Sequence, residues 1–307
     1  MPRFEVPRFG AALRDRGAAL PRVPYEEGTR MYRIIASDLD ETLLSSDTHV
    51  CQRNVEAIHA ARAKGAHFVP CTGRPFDSVG GTLEELGLAG AAGEYVISFN
   101  GGAVNEISKP EPLCLRDLDF DLADDLYRRG VAYGMCMHLY TVHDVWVYGL
   151  NDDERAYAGP RMTLTETHEP TLDFLRGQTV MKILYEDTDM NHLRGIHQEL
   201  APYLDDVFVT YSSNRYLEFC PKGVDKGSGL HWLADYLGVP YGETIGIGDS
   251  LNDLAMVEDS GLGCVVANAV GEIRDAADYI CEATNDQGGV GEVIERFVLS
   301  FERGDVL

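Results

Sequence analysis

Residues 34–36 form a short apolar, β-branched run that ends abruptly in Ser37-Asp38-Leu39-Asp40, and this junction constrains the fold more than any other stretch. Such a run reads as a buried strand that delivers Asp38 to its carboxyl end, the edge where open parallel sheets bind ligands. Asp38 and Asp40 are two residues apart, so on an extended backbone they share one side while Leu39 points away. That spacing suits one metal and one reacting group. A lone D-x-D followed by Glu41 and Thr42 is equally what a polar turn capping the next element looks like, so the rest of the chain must decide.

The same grammar recurs. The spacing of Val55, Ile58 and Ala61 predicts a helix over 53–64 stopped by Gly65, and a second buried strand over 67–71 runs into Thr72-Gly73-Arg74-Pro75. That corner offers a hydroxyl and backbone amides to an anion, or simply caps the following helix. A third strand over 95–99 leads into Asn100-Gly101-Gly102. Further on, Lys226 heads a helix over 226–237, where the positive end of the helix would sooner have an acid, a misfit that suggests a site. Another apolar strand over 244–248 then ends in Asp249-Ser250, with Asn252 and Asp253 opening the next helix. Two strands thus carry acids to one edge, and Mg²⁺ favours such an oxygen set with few carboxylates, some waters and a substrate phosphate. Asp38, the Asp40 carbonyl and Asp249 could supply it. The glycine-rich turn at 288–291 lacks the spacing of a dinucleotide-binding loop and is read as structural.

Between these halves the pattern turns antiparallel, with helices at 120–129 and 190–200 and strands at 135–140, 145–148, 180–186, 207–212 and 216–219. The expected architecture is α/β: a doubly wound parallel sheet, Rossmann-like, over 31–111 and 219–307, with an α+β cap domain inserted at 112–218. Residues 1–30 hold four prolines and six arginines without periodicity and are expected to be a poorly ordered leader, with Met31 as an alternative start.

Composition removes several function classes. A net charge of −24 over 307 residues argues against nucleic acid or an anionic membrane as partner, though it leaves room for a phosphorylated metabolite beside a bound cation. No apolar run is long enough to span a bilayer. Seven scattered cysteines, an odd number and never in C-x-x-C spacing, read as reduced thiols and a cytoplasmic setting. The oligomeric state is not legible.

Asp38-x-Asp40-x-Thr42, Thr72-Gly73-Arg74, Lys226-Gly227 and Gly248-Asp249-Ser250-x-Asn252-Asp253 occur in the order of the four motifs of haloacid dehalogenase-like phosphatases. From Met31 to about Gly291 the chain resembles the Cof-type branch, which carries a large cap between the second and third motifs; Asn100-Gly101 and Asn268-Ala269 resemble further recurrent pieces. Glu41 departs from the pattern, standing where the family most often has glycine. The resemblance implies a Mg²⁺-dependent phosphohydrolase with Asp38 as nucleophile and Asp40 as general acid and base. It implies phosphate binding by Leu39, Thr72, Gly73, Lys226 and Asn252, metal binding by Asp38, Asp40, Asp249 and Ser250, and an orienting role for Asp253 behind them. The substrate would be a small phosphorylated metabolite, such as a sugar phosphate or a cofactor-like phosphate. A phosphomutase using the same aspartyl phosphate and a non-catalytic phosphometabolite-binding protein are the competing readings.

Overall fold

The computed structural model describes residues 31–300, so the expected leader at 1–30 lies outside the described residues. Fourteen strands fall in chain order within them: β1 Ile34–Asp38, β2 His67–Cys71, β3 Tyr95–Ser98, β4 Ala103–Glu106, β5 Cys114–Leu115, β6 Cys136–Thr141, β7 Val145–Tyr148, β8 Thr165–Thr167, β9 Val180–Glu186, β10 Val207–Ser212, β11 Tyr216–Pro221, β12 Thr244–Gly248, β13 Leu262–Val265 and β14 Tyr279–Ile280. They make two sheets.

The first has the order β14-β13-β12-β1-β2-β3-β4-β5. From β14 to β3 all pairings are parallel, whereas β4 and β5 add an antiparallel edge that the sequence reading did not foresee. Its two faces are covered by separate apolar clusters, one including Ile35, Phe68 and Ile245, the other Ile34, Val69 and Leu230. Alternate residues of β1 therefore feed opposite layers, which is why the run at 34–36 is apolar throughout. The second sheet, β10-β11-β9-β6-β7-β8, is mixed, antiparallel except for β7 with β8. The helices Phe120–Tyr133 and Met190–Leu200 pack on one of its faces through Leu126, Tyr127, Leu193 and Ile196. The first of these runs four residues past the expected 129 and stops where Gly134 takes the left-handed conformation, φ 71°.

Strand pairing puts Cys114–Leu115 on the first sheet and all of Tyr216–Pro221 on the second. All seven cysteines are free thiols, and among the described residues no helix is long and apolar enough to cross a membrane.

The topology fixes the site. β1 lies between β2 and β12, paired in parallel with both, so the residues that follow these three strands emerge side by side at one sheet edge.

Candidate active site

Asp38, the last residue of β1, meets Lys226 and Asp249 at that edge. The Lys226 ammonium is fully buried and donates to Asp38 Oδ1 and to Asp253 Oδ1, the latter at 2.5 Å. Its place at the head of its helix is set by Asp225, whose carboxylate caps Ser228 N at 2.7 Å while the Ser228 hydroxyl returns to Asp225 N at 3.0 Å. The misplaced lysine of the sequence is thus an internal counter-ion. Asp253 spends its second oxygen, Oδ2, on the amides of Asp249 and Ser250, both at 3.1 Å. It braces the turn after β12 as well as Lys226, so the expected orienting residue touches both. Asp249 Oδ1 accepts from the Thr42 hydroxyl at 2.7 Å, tying the turn after β1 to the turn after β12.

Oxygens of Asp38, Asp249 and Asp253 all lie within 4.8 Å of one another, and all three residues are buried. One ammonium against three carboxylates leaves an excess of negative charge away from water. Burial pushes the Asp38 carboxyl up to about 7 against the pull of Lys226, with Asp253 and Asp40 adding to the rise. Burial, then the charges of Asp38 and Asp253, push Asp249 well above the ordinary carboxylate range, while Thr42 acts the other way. A hard divalent cation is the species that relieves such a cluster, and the donor set is all oxygen. The residues present fit one.

Leu39 packs its side chain into the apolar core, so it offers only backbone to the site, and its carbonyl accepts from Leu44 N at 2.8 Å. Thr72 is buried, its Oγ1 accepting from Arg74 N at 3.1 Å. Gly73, Ser250 and Asn252 line the cleft together with Asp38, Asp40 and Asp249. Every site residue expected from the sequence is therefore at this edge or directly behind it. Asp40 is gripped by Arg74, whose Nε donates to Oδ2 at 2.8 Å and whose Nη2 reaches Oδ1. Arg161 of the inserted unit approaches the same carboxylate, Nε 3.5 Å from Oδ1.

The other wall of the cleft comes from the second sheet and the helix Asp152–Ala158, and the sequence reading named none of its residues. Tyr140, Tyr157, Arg161, Lys182, Tyr216 and Glu218 face the acids there. Glu218 is buried; burial alone would raise its carboxyl, but the Lys182 ammonium and the Ser212 hydroxyl outweigh that and hold it below the ordinary glutamate range. The available signal was a charge inside an otherwise apolar strand, Lys182 between Met181 and Ile183 and Glu218 between Leu217 and Phe219.

Residues 35–294 match the haloacid dehalogenase-like hydrolase family. The chain belongs to that family. YxeH of Bacillus subtilis is 30% identical to this hydrolase over 271 residues, 88% of this chain and 100% of its own. The 5-amino-6-(5-phospho-D-ribitylamino)uracil phosphatase YcsE of the same organism is 27% identical over 269 residues, 87% of this chain and 96% of that protein. A haloacid dehalogenase-like hydrolase from Bacteroides thetaiotaomicron superposes with a TM-score of 0.74 at 31% identity, covering 86% of this chain and 99% of the other. This hydrolase is a phosphatase of the Cof-type branch, with the mixed second sheet inserted as its cap.

Proposed function

We propose that this phosphatase uses Mg²⁺ to remove phosphate from a small phosphorylated metabolite through an aspartyl phosphate on Asp38. The observation that carries the reading is the buried cluster itself: Asp38 at a strand tip, its charge shared with Lys226, and Asp249 close enough for one cation to join both acids. Asp38 attacks phosphorus and the leaving oxygen departs, which splits one hard displacement into two easier ones. Asp40 gives its proton to that oxygen and then takes one from the water that releases phosphate. Thr72, the backbone of Leu39 and Gly73, Lys226 and Asn252 hold the phosphoryl oxygens, while Asp253 keeps Lys226 and the Asp249 turn in place. Asp38, the Asp40 carbonyl, Asp249 and Ser250 would hold Mg²⁺, which when bound neutralises charge between nucleophile and phosphoryl group.

The inserted unit, residues 112–218, recognises the leaving group, since the sheet edge contacts only phosphate and metal. YcsE is named for a small phosphorylated compound, which supports a metabolite of that size as substrate. The test is a panel of phosphorylated metabolites scored by kcat/KM with Mg²⁺ and with chelator. Free phosphate in molar excess over enzyme from a single substrate, lost on chelation, is expected. Isomerised substrate without free phosphate would make the protein a mutase, and binding without turnover would make it a non-catalytic receptor.

A further inference from the structure

One hydrogen-bonded path crosses from cap to core, and the scheme above does not use it. Glu218 Oε1 accepts from the Ser212 hydroxyl on β10. Its Oε2 accepts from the Lys182 ammonium on β9 and from Asn100 Nδ2 at 2.9 Å. Asn100 belongs to the core, in the turn after β3, where it holds a left-handed φ of 54°. Its Oδ1 in turn accepts from Asn252 Nδ2 at 3.3 Å. The path therefore runs from a cap carboxylate to a side chain assigned to the phosphoryl group. The Gly73 corner borders it too: a Cβ built there would lie 3.0 Å from Asn100 Oδ1 and 3.1 Å from Lys182 Nζ.

An amide side chain has a fixed polarity, donors at one end and an acceptor at the other. A carboxylate only accepts, so Glu218 dictates which end of Asn100 faces it and leaves Oδ1 for Asn252. With the cap carboxylate gone, Asn100 is at liberty to turn its NH₂ toward Asn252, donor against donor. Lys182 would also lose the acid that holds its ammonium beside Gly73, and an unpaired buried cation is costly. We propose that Glu218 is a positioning residue for phosphoryl transfer, which sets Asn100 and through it Asn252, and parks Lys182 beside Gly73, when the cap is seated. The inference rests on the phosphatase reading of the same site.

The experiment compares Glu218→Gln, Asn100→Ala and the double variant with wild type, using an aryl phosphate as substrate and inorganic phosphate as inhibitor. Each single change is expected to lower kcat and to weaken inhibition by phosphate about 10- to 100-fold, the range for losing a hydrogen bond to a charged group. The double variant should lose no more than the worse single one, because both break the same path. A merely structural role would lower the folded fraction and leave the phosphate inhibition constant alone. Hydrogen exchange of the ligand-free proteins is read in parallel. Glu218→Gln should speed exchange at 100–102 and 250–254, whatever the activity. Inhibition within twofold of wild type, losses that multiply in the double variant, or unchanged exchange would each overturn the proposal. A wild type that turns nothing over, but whose exchange responds to Glu218→Gln, would instead sink the phosphatase reading and leave the path standing. Should Glu218→Gln not fold, Asn100→Ala asks the same question from the core side.

Discussion

Glu41 takes a backbone shape that glycine adopts freely and glutamate does not, φ 62° and ψ 8°, with its carbonyl accepting from Asn268 Nδ2 at 2.8 Å. The departure visible in the sequence thus has a conformational cost. Glu41→Gly should raise stability by up to about 1 kcal/mol, the left-handed penalty less the entropy glycine gives back; a urea melt showing lower stability would mean that the Glu41 side chain holds the turn. At this scale the sequence was legible where the cause was local. Asp38 and Asp249 end apolar strands, and that pattern needs no partner to be seen. Lys182 and Glu218 were missed because what makes their burial tolerable is each other, 36 residues apart in the chain.

The elements that position the site are turns as much as strands. Lys226 reaches Asp38 because its helix begins where Asp225 and Ser228 cap one another. Gly101, at φ 95°, lies so close to the Asp225 carbonyl that a Cβ there would come within 2.1 Å of its oxygen. Asp225→Ala should cost about 1 kcal/mol in a denaturant melt, the usual loss of an N-cap, and should lower kcat because Lys226 is the residue it anchors; unchanged stability would contradict the capping argument. Gly101→Ala should cost roughly 1–3 kcal/mol, as overpacking does, and should depress activity through the same helix; a melt and a turnover rate equal to wild type would contradict the close approach. β1, β2, β3 and β12 were legible because each is built on a short apolar run that is buried on both faces of the sheet. Periodicity did not reveal β4, β5 and β8, which are short and lie at or near sheet edges, where flanking strands rather than their own pattern define them.

For the whole molecule the acidic cluster links charge, metal and stability. Asp38 and Asp249 have carboxyls raised by folding, so the folded metal-free protein binds more protons than the unfolded chain between the unfolded value near 4 and, for Asp38, about 7. Stability from this source is therefore present at low pH and lost as pH rises through that window. Metal-free protein should show a falling Tm between pH 5 and pH 8, and Mg²⁺ should restore it most at the alkaline end, where no proton competes; a Mg²⁺ shift in Tm that is equal at both pH values would contradict the cluster as the cation site. The architecture was legible in the sequence as a core with an insertion because the pattern changes from alternating to antiparallel and back. How the cap meets the core was not, since Arg161 on Asp40 and Glu218 on Asn100 are contacts between distant segments. The proposed two-step transfer depends on Asp38 carrying the phosphoryl group. In the proposed scheme Asp40→Asn would remove the proton donor that an aryl phosphate hardly needs and the base that the second step requires, a loss of about 10²- to 10⁴-fold that still leaves chemistry to observe. Mixed with aryl phosphate and Mg²⁺ and quenched in acid, that variant should give a burst of aryl alcohol near one per site and, by mass spectrometry, a phosphate on the peptide holding Asp38. Phosphate on any other residue, or near wild-type turnover by Asp38→Asn, would contradict it.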